Sequence, residues 1–204
     1  MHTAPLAERI EFVRYKVAEL HLAYASAAIE LADRADEFRD TIFFRETVWT
    51  AFFVNYGKPF KQSRDTKKGF AMRLPEDVVP PEHLVTHRSI LMMRDKHFAH
   101  TDLDFQSCPL VSTPEELLVV LATRAGLTYG IGSLIPADST VADYKATLDA
   151  IMDKVAYRAD KIANRWSRHL RVPINSMWTV NLSKTNDAIL SRIVRQQNGN
   201  NNAS

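Results

Sequence analysis

LAERIEFVRYKVAELHLAYASAAIEL, residues 6 to 31, places Leu6, Ile10, Val13, Val17, Leu20, Tyr24, Ala27 and Leu31 at alternating steps of four and three. That spacing keeps one apolar stripe on one face of a helix, so the stretch predicts a long first helix. A second seam, Phe38, Ile42, Trp49, Phe52 and Tyr56, keeps the same phase with Arg45 at the skipped position, and Gly57 reads as its C-terminal stop. Only the polar stretch Asp33 to Asp36 separates the two patterns. A link that short implies an antiparallel helical hairpin, which serves as the scaffold.

Outward from this pair the pattern changes. KPFKQSRDTKKGFAMRL, residues 58 to 74, has no helical period and carries Lys58, Lys61, Arg64, Lys67, Lys68 and Arg73 against the single acid Asp65. It reads as a basic loop. Pro80 and Pro81 suit the opening of a third helix, through HLVTHRSILMMRDKHFAH, because proline is tolerated in a helix's first turn. Between residues 117 and 133, LLVVLAT and LTYGIGS flank Arg124, Ala125 and Gly126 and read as a small β-hairpin. The competing reading there is a helix starting at Thr113, Pro114 and Glu116. A fourth helix carries Leu148, Ile151, Val155, Ile162 and Trp166 on one side and stops before Pro173. A short helix is expected near Ala188 to Val194, followed by QQNGNNNAS, too polar to pack. The chain thus divides into a helical domain, residues 1–172, and an extension with a disordered polar tail, residues 173–204.

With 204 residues, 46% hydrophobic and 25% charged, the composition is that of an ordinary globular domain with one sizeable core. No apolar run approaches the roughly 20 residues that cross a bilayer. The N-terminal residues offer no secretory pattern, so a cytoplasmic location without a membrane partner is expected. The lone Cys108 has no thiol or metal-ligand partner nearby in sequence and reads as inert. A net charge of +2 is merely compatible with a polyanionic partner, so any case for one rests on where the charges sit.

Leu84, His87, Leu91, Arg94 and Phe98 share an inward or interfacial stripe on the third helix, which points Arg94 where leucine usually goes. A guanidinium there needs an acidic or phosphate partner. An ion pair with a carboxylate on a neighbouring helix is the ordinary answer for an isolated arginine. Around it, however, stands RDKHFAH, Arg94 to His100. This string resembles the signature of the HEPN superfamily, an arginine, a polar residue and a histidine a few positions later. It is most similar to the abortive-infection branch, in which "RDK, two residues, AH" closes a late helix of a small bundle. Arg94, Asp95, Lys96, Ala99 and His100 occupy those positions, and the helical pair ending in NYGKPF extends the resemblance over roughly residues 5–170.

The resemblance implies a mainly α, HEPN-like bundle of four to five helices, the hairpin at 117–133 being an insertion. It further implies a metal-independent endoribonuclease without a cofactor, cutting single-stranded or looped RNA to a 2′,3′-cyclic phosphate. Such an enzyme would act as a homodimer in microbial defence or a toxin–antitoxin system, under an antitoxin or other regulatory protein. His100 would be the acid/base residue, Arg94 the phosphate clamp and Asp95 the orienter. Lys96, His97, Lys58, Lys61, Arg64, Lys67 and Lys68 would support RNA binding. The chemistry is consistent: imidazole exchanges protons near neutral pH, and arginine stays charged and can brace a phosphate bidentately. On a regular helix His100 lies about 120° around from Arg94 and His97 about 60°, so spacing alone favours His97 whereas the resemblance favours His100.

Other readings compete for the same residues. A non-catalytic HEPN-like module that binds RNA or protein would keep Arg94 and His100 as structural groups at a dimer interface. His83 and His87, four apart, could be imagined on one metal, but no HExxH glutamate or cysteine pair accompanies them, and no metal site is assigned. Lys154, Arg158, Lys161, Arg165 and Arg168 form a basic stripe, ordinarily a solvated face and alternatively a phosphate-contacting one. Tyr56 and Phe60 could stack on bases beside Lys58 and Lys61, although anchoring a core is the commoner use.

Overall fold

The computed structural model describes residues 4–34, 37, 41–61, 72–95, 118–123, 126–131, 136, 138–170, 178–180 and 190–192. Four α-helices dominate these residues: α1 (Leu6–Asp33), α2 (Thr41–Gly57), α3 (Leu84–Met93) and α4 (Asp138–Leu170). Two small antiparallel hairpins accompany them, β1 (Leu118–Thr123) with β2 (Gly126–Ile131), and β3 (Trp178–Val180) with β4 (Leu190–Arg192). The protein is mainly α, and the hairpin expected around 117–133 is present in the described strands β1 and β2. No described helix is long and apolar enough to cross a membrane.

α1 begins immediately after Pro5, whose φ of −52° already suits a helix start, and Glu8 in its first turn complements the positive end of the helix dipole. α2 returns along it, so that the middle of α1 faces the end of α2, and α4 packs along α1 on another side. Tyr15, Ala18, Leu22, Ala25, Ala28 and Ile29 are the buried apolar residues of α1. Three of them are alanines, whose small side chains let neighbouring helices approach closely.

This inward face is not the stripe picked out by spacing. Val17, Leu20, Tyr24, Ala27 and Leu31 are exposed, with Leu20 52% and Tyr24 54% accessible. The helix carries two apolar faces, and the bundle uses the one that mixes alanines with Leu22 and Ile29. A corresponding shift occurs in α3, where His87, Ile90 and Met93 are buried while Leu84 and Leu91 are only partly covered.

α2 follows expectation more closely: Trp49, Phe52 and Tyr56 are buried, joined by Val48 and Phe53. Phe52 stacks on Tyr144 of α4 at 5.8 Å and 12° and meets Trp49 edge-on at 5.5 Å. Beyond the area they bury, such pairs contribute about 0.5–1.5 kcal/mol each. Leu148, Ile151, Val155, Ile162 and Trp166 of α4 are buried as their spacing predicts. Tyr56 and Phe60 are also buried, so they anchor the core and are not presented for stacking on bases.

Strand β4 occupies Leu190–Arg192, where a short helix was expected. It pairs with β3 in a register that opposes Val180 to Leu190, and Val180 packs against the main core. Cross-strand pairing therefore overrides local helical spacing, and at least this part of the extension joins the bundle. Phe38, Arg64, Lys67, Lys68, Lys96, His97, Phe98, His100, Cys108 and the tail lie outside the described residues.

Candidate functional site

Three elements converge on one cleft of about 310 Å³, lined by Val17, Ala18 and His21 of α1, Lys58, Pro59 and Lys61 after α2, Met72, and Arg94 at the end of α3. The local chain path explains the convergence. After α2 a 3₁₀ turn, Lys58–Phe60, carries the chain on, and the Leu74 amide donates to the Pro59 carbonyl at 2.7 Å. The segment between is pinned at its neck, and both of its described ends, Lys61 and Met72, reach the cleft wall. Arg64, Lys67 and Lys68 belong to that segment, outside the described residues.

α3 opens with a 3₁₀ turn, Pro81–His83, on the proline pair, and its regular part ends at Met93. At residues 94–95 the backbone widens to π-helical geometry, a local irregularity frequent at functional positions. The angular comparison of His97 with His100 assumed an undisturbed helix, and the geometry already changes at Arg94 and Asp95. Both histidines lie outside the described residues.

Arg94 is 23% exposed, and its Nη1 donates to Asp95 Oδ1 at 2.9 Å. Asp95 also accepts from Lys61 Nζ. Burial pushes the Asp95 carboxyl up, but the hydrogen bonds and charges of Lys61 and Arg94 outweigh it and hold the group below its ordinary value. The expectation that Arg94 needs an acidic partner is met, but by its immediate neighbour instead of a carboxylate on another helix. Arg94 Nε remains covered and without a hydrogen-bond partner among the described residues.

Gly57 packs directly against the arginine stem: a Cβ at this position would lie 3.1 Å from Arg94 Cγ and 3.2 Å from Cδ. Its φ of −75° and ψ of −26° are ordinary right-handed values. Gly57 therefore does not end α2 by adopting a left-handed conformation; it makes room for Arg94.

His21 is the residue that sequence reasoning missed. Its Nδ1 is buried and bonded to nothing among the described residues, which leaves Nε2 for its interaction with Asn55. Asn55 is itself fixed, donating from Nδ2 to the Ala51 carbonyl at 2.8 Å and accepting from Lys58 Nζ at 3.2 Å. Burial and then the Lys58 charge lower the basicity of His21, against the Asn55 bond, which favours the protonated ring. The signal lay in the hairpin register: His21 stands twelve residues before the end of α1 at Asp33, and Asn55 fourteen after the start of α2 at Thr41.

Among the described residues, Lys58, Lys61 and Arg94 bring three positive charges to the cleft, and Asp95 offsets one, leaving two. With a neutral His21 beside them, these groups can hold an anion of one or two charges and offer it several N–H donors.

Other sequence candidates sit elsewhere. His87 Nδ1 bonds the Tyr56 hydroxyl at 2.9 Å within the core, and His83 Nδ1 meets Thr147 Oγ1 at 3.1 Å. The two rings thus serve separate structural bonds. Arg158 of the basic stripe is held by both carboxylate oxygens of Asp77 at 3.0 Å and by the Tyr15 hydroxyl, and Arg165 pairs with Glu8 at 2.6 Å. The stripe is therefore in part a set of struts that ties α4 to the rest of the bundle. Its outer side forms a groove of about 500 Å³ that includes Tyr157, Lys161 and Arg168.

Compared with protein-family models, curated proteins and solved structures, the chain matches none.

Proposed function

We propose that this protein is a metal-independent endoribonuclease of HEPN type that acts in the cytoplasm on single-stranded or looped RNA and serves microbial defence or a toxin–antitoxin system. The observation that supports this most is the placement of Arg94, first residue of the RDKHFAH string, in a cleft with Lys58 and Lys61. Arginine and lysines at one concave wall suit a phosphodiester, and the Asp95 bond holds the guanidinium in a fixed orientation.

In the proposed reaction the 2′-hydroxyl loses its proton to a base as its oxygen bonds to phosphorus. The bond from phosphorus to the 5′-oxygen breaks, and that oxygen takes a proton. The products are a 2′,3′-cyclic phosphate and a free 5′-hydroxyl. His100 is the proposed acid/base residue and Arg94 braces the charge that builds on the phosphoryl oxygens, with His97, Lys96, Arg64, Lys67 and Lys68 as supporting cations or donors.

The reading includes a homodimer. In its favour, the exposed seam Val17, Leu20, Tyr24 and Leu31 runs along α1, and Val17 is also part of the cleft wall. A second copy seated on the seam would border the cleft and bring its own arginine and histidine near it. An antitoxin or other regulatory protein covering the same face is the proposed restraint.

A second reading has its own observation. Arg94 is packed on Gly57 and paired to Asp95, so it already has the environment of a structural arginine in a non-catalytic RNA- or protein-binding module. Incubation of a mixed single-stranded RNA pool in excess EDTA, with intact protein, His100→Ala and Arg94→Ala, separates the two. Cleavage to cyclic-phosphate ends by the intact protein alone is the expected result. RNA bound but uncut by all three forms favours the module.

A further inference from the structure

The cleft contains a group that neither the RDKHFAH string nor the basic loop accounts for. His21 comes from the first helix, remote in sequence from both, yet lines the same cavity as Arg94, Lys58 and Lys61. One ring nitrogen interacts with Asn55, and the other is shut away without a partner among the described residues. That covered nitrogen leaves the imidazole with unused hydrogen-bonding capacity, which a turn about its side-chain torsions would bring to the cationic cleft that the residue lines.

We propose that His21 is a ligand of the phosphate site and takes up a proton from solvent when a phosphate group enters the cleft. The inference rests on the reading of this cleft as a phosphate site but not on RNA cleavage.

The electrostatics give the direction. The groups around His21 are Lys58 from the turn after α2, the Asn55 amide from α2, Lys61, and the Arg94–Asp95 pair from the end of α3. Their sum is positive; burial first, and then the Lys58 charge, favour the neutral ring against the Asn55 bond. A phosphate entering among Lys58, Lys61 and Arg94 cancels that excess and supplies an acceptor. Both changes favour the imidazolium, which then donates a charge-assisted hydrogen bond to the anion. Proton uptake and phosphate binding are therefore linked, and each strengthens the other. Asn55, itself held from two sides by Ala51 and Lys58, gives the ring a fixed partner before an anion arrives. The consequence is a phosphate site that tightens as pH falls below neutrality.

The experiment uses the full chain, with inorganic phosphate and a 2′-deoxy dinucleoside monophosphate as probes, the latter uncleavable because it lacks the attacking hydroxyl. Histidine ring resonances are titrated with pH by NMR, with and without each probe, His21 being assigned from His21→Gln. The midpoint of His21 is expected to rise by about one pH unit on saturation, which for the dinucleotide, whose diester keeps one charge throughout, corresponds to roughly tenfold tighter binding below that midpoint than above it. His21→Gln, with an unchanged melting temperature, loses this pH dependence. An unmoved His21 midpoint with a bound probe overturns the inference, as does a His21→Gln protein that retains the full pH dependence. If neither probe binds, the phosphate-site reading falls and takes the inference with it. Failure of the wild type to cut RNA removes the ribonuclease and leaves the result at His21 standing.

Discussion

Gly57 and Arg94 are in direct contact: the space a side chain would occupy at Gly57 is filled by the arginine stem, whose Cγ lies 3.1 Å from where a Cβ would stand. The two residues belong to different helices and are far apart in sequence. Their contact fixes where the guanidinium leaves the core and enters the cleft.

Gly57→Ala should therefore separate stability from site geometry. The backbone at Gly57 is right-handed helical, where alanine is favoured over glycine by about 0.5–1 kcal/mol. The added methyl must displace the Arg94 stem by a few tenths of an ångström or more. We expect a melting temperature equal to or above that of the wild type, with RNA cleavage reduced about tenfold or more because the clamp is misplaced. Unchanged cleavage and RNA affinity would show that the arginine's position against Gly57 is irrelevant to the site.

Asp95→Asn tests the other restraint on the same guanidinium. Asp95 accepts from both Lys61 and Arg94 and offsets one of the three positive charges at the cleft. Its removal should tighten binding of an uncleavable dinucleotide by about two- to fivefold while slowing cleavage, since the cations are freer and less well aimed. The pair with Lys61 is partly exposed, at 38% and 39%, so the change in stability should stay below about 1 kcal/mol. Weaker dinucleotide binding would mean that Asp95 positions the cations for phosphate and does not compete with it.

The helices and their order were legible because each carries a long periodic pattern, and Leu148 to Trp166 even showed which side of α4 faces in. α1 was legible as a helix but not in its orientation, because Tyr15, Ala18, Leu22, Ala25 and Ile29 make a second apolar face that only packing against α2 and α4 selects. Strand β4 was missed because three residues pairing across a hairpin leave no local period. At the site, Arg94, Asp95, Lys58 and Lys61 could be nominated from motif and charge, and they do converge. His21 could not, since a histidine among apolar helix positions carries no local signal, and its relevance emerges only when the hairpin register brings it opposite Asn55 and Lys58.

His87 should make stability depend on pH. It is buried against Tyr56 and Phe60, and burial pushes its pKa down to about 4 from 6.5. Between those values the unfolded chain binds a proton that the folded protein refuses, so stability rises with pH through this window and is lost as pH falls. The slope from this group is at most about 1.4 kcal/mol per pH unit. Denaturant melts at intervals from pH 4 to 7 should show a flatter dependence for His87→Gln than for the wild type. Parallel curves would mean that His87 titrates alike in the folded and unfolded chains.

The exposed seam on α1 tests the proposed assembly. Leu20 and Tyr24 are more than half exposed and lie one turn apart, so Leu20→Glu with Tyr24→Glu places charge on the outer face without touching the buried face at Leu22 and Ala25. In a homodimer that uses this seam, two carboxylates per copy would be buried against their own symmetry mates, a cost of several kcal/mol. Light scattering should show a dimeric wild type and a monomeric double variant whose helical content is unchanged. Cleavage should fall with the loss of the dimer if the second copy borders the cleft at Val17. A wild type that is monomeric at micromolar concentration would end the homodimer proposal. A double variant that stays dimeric would move the interface off this face of α1.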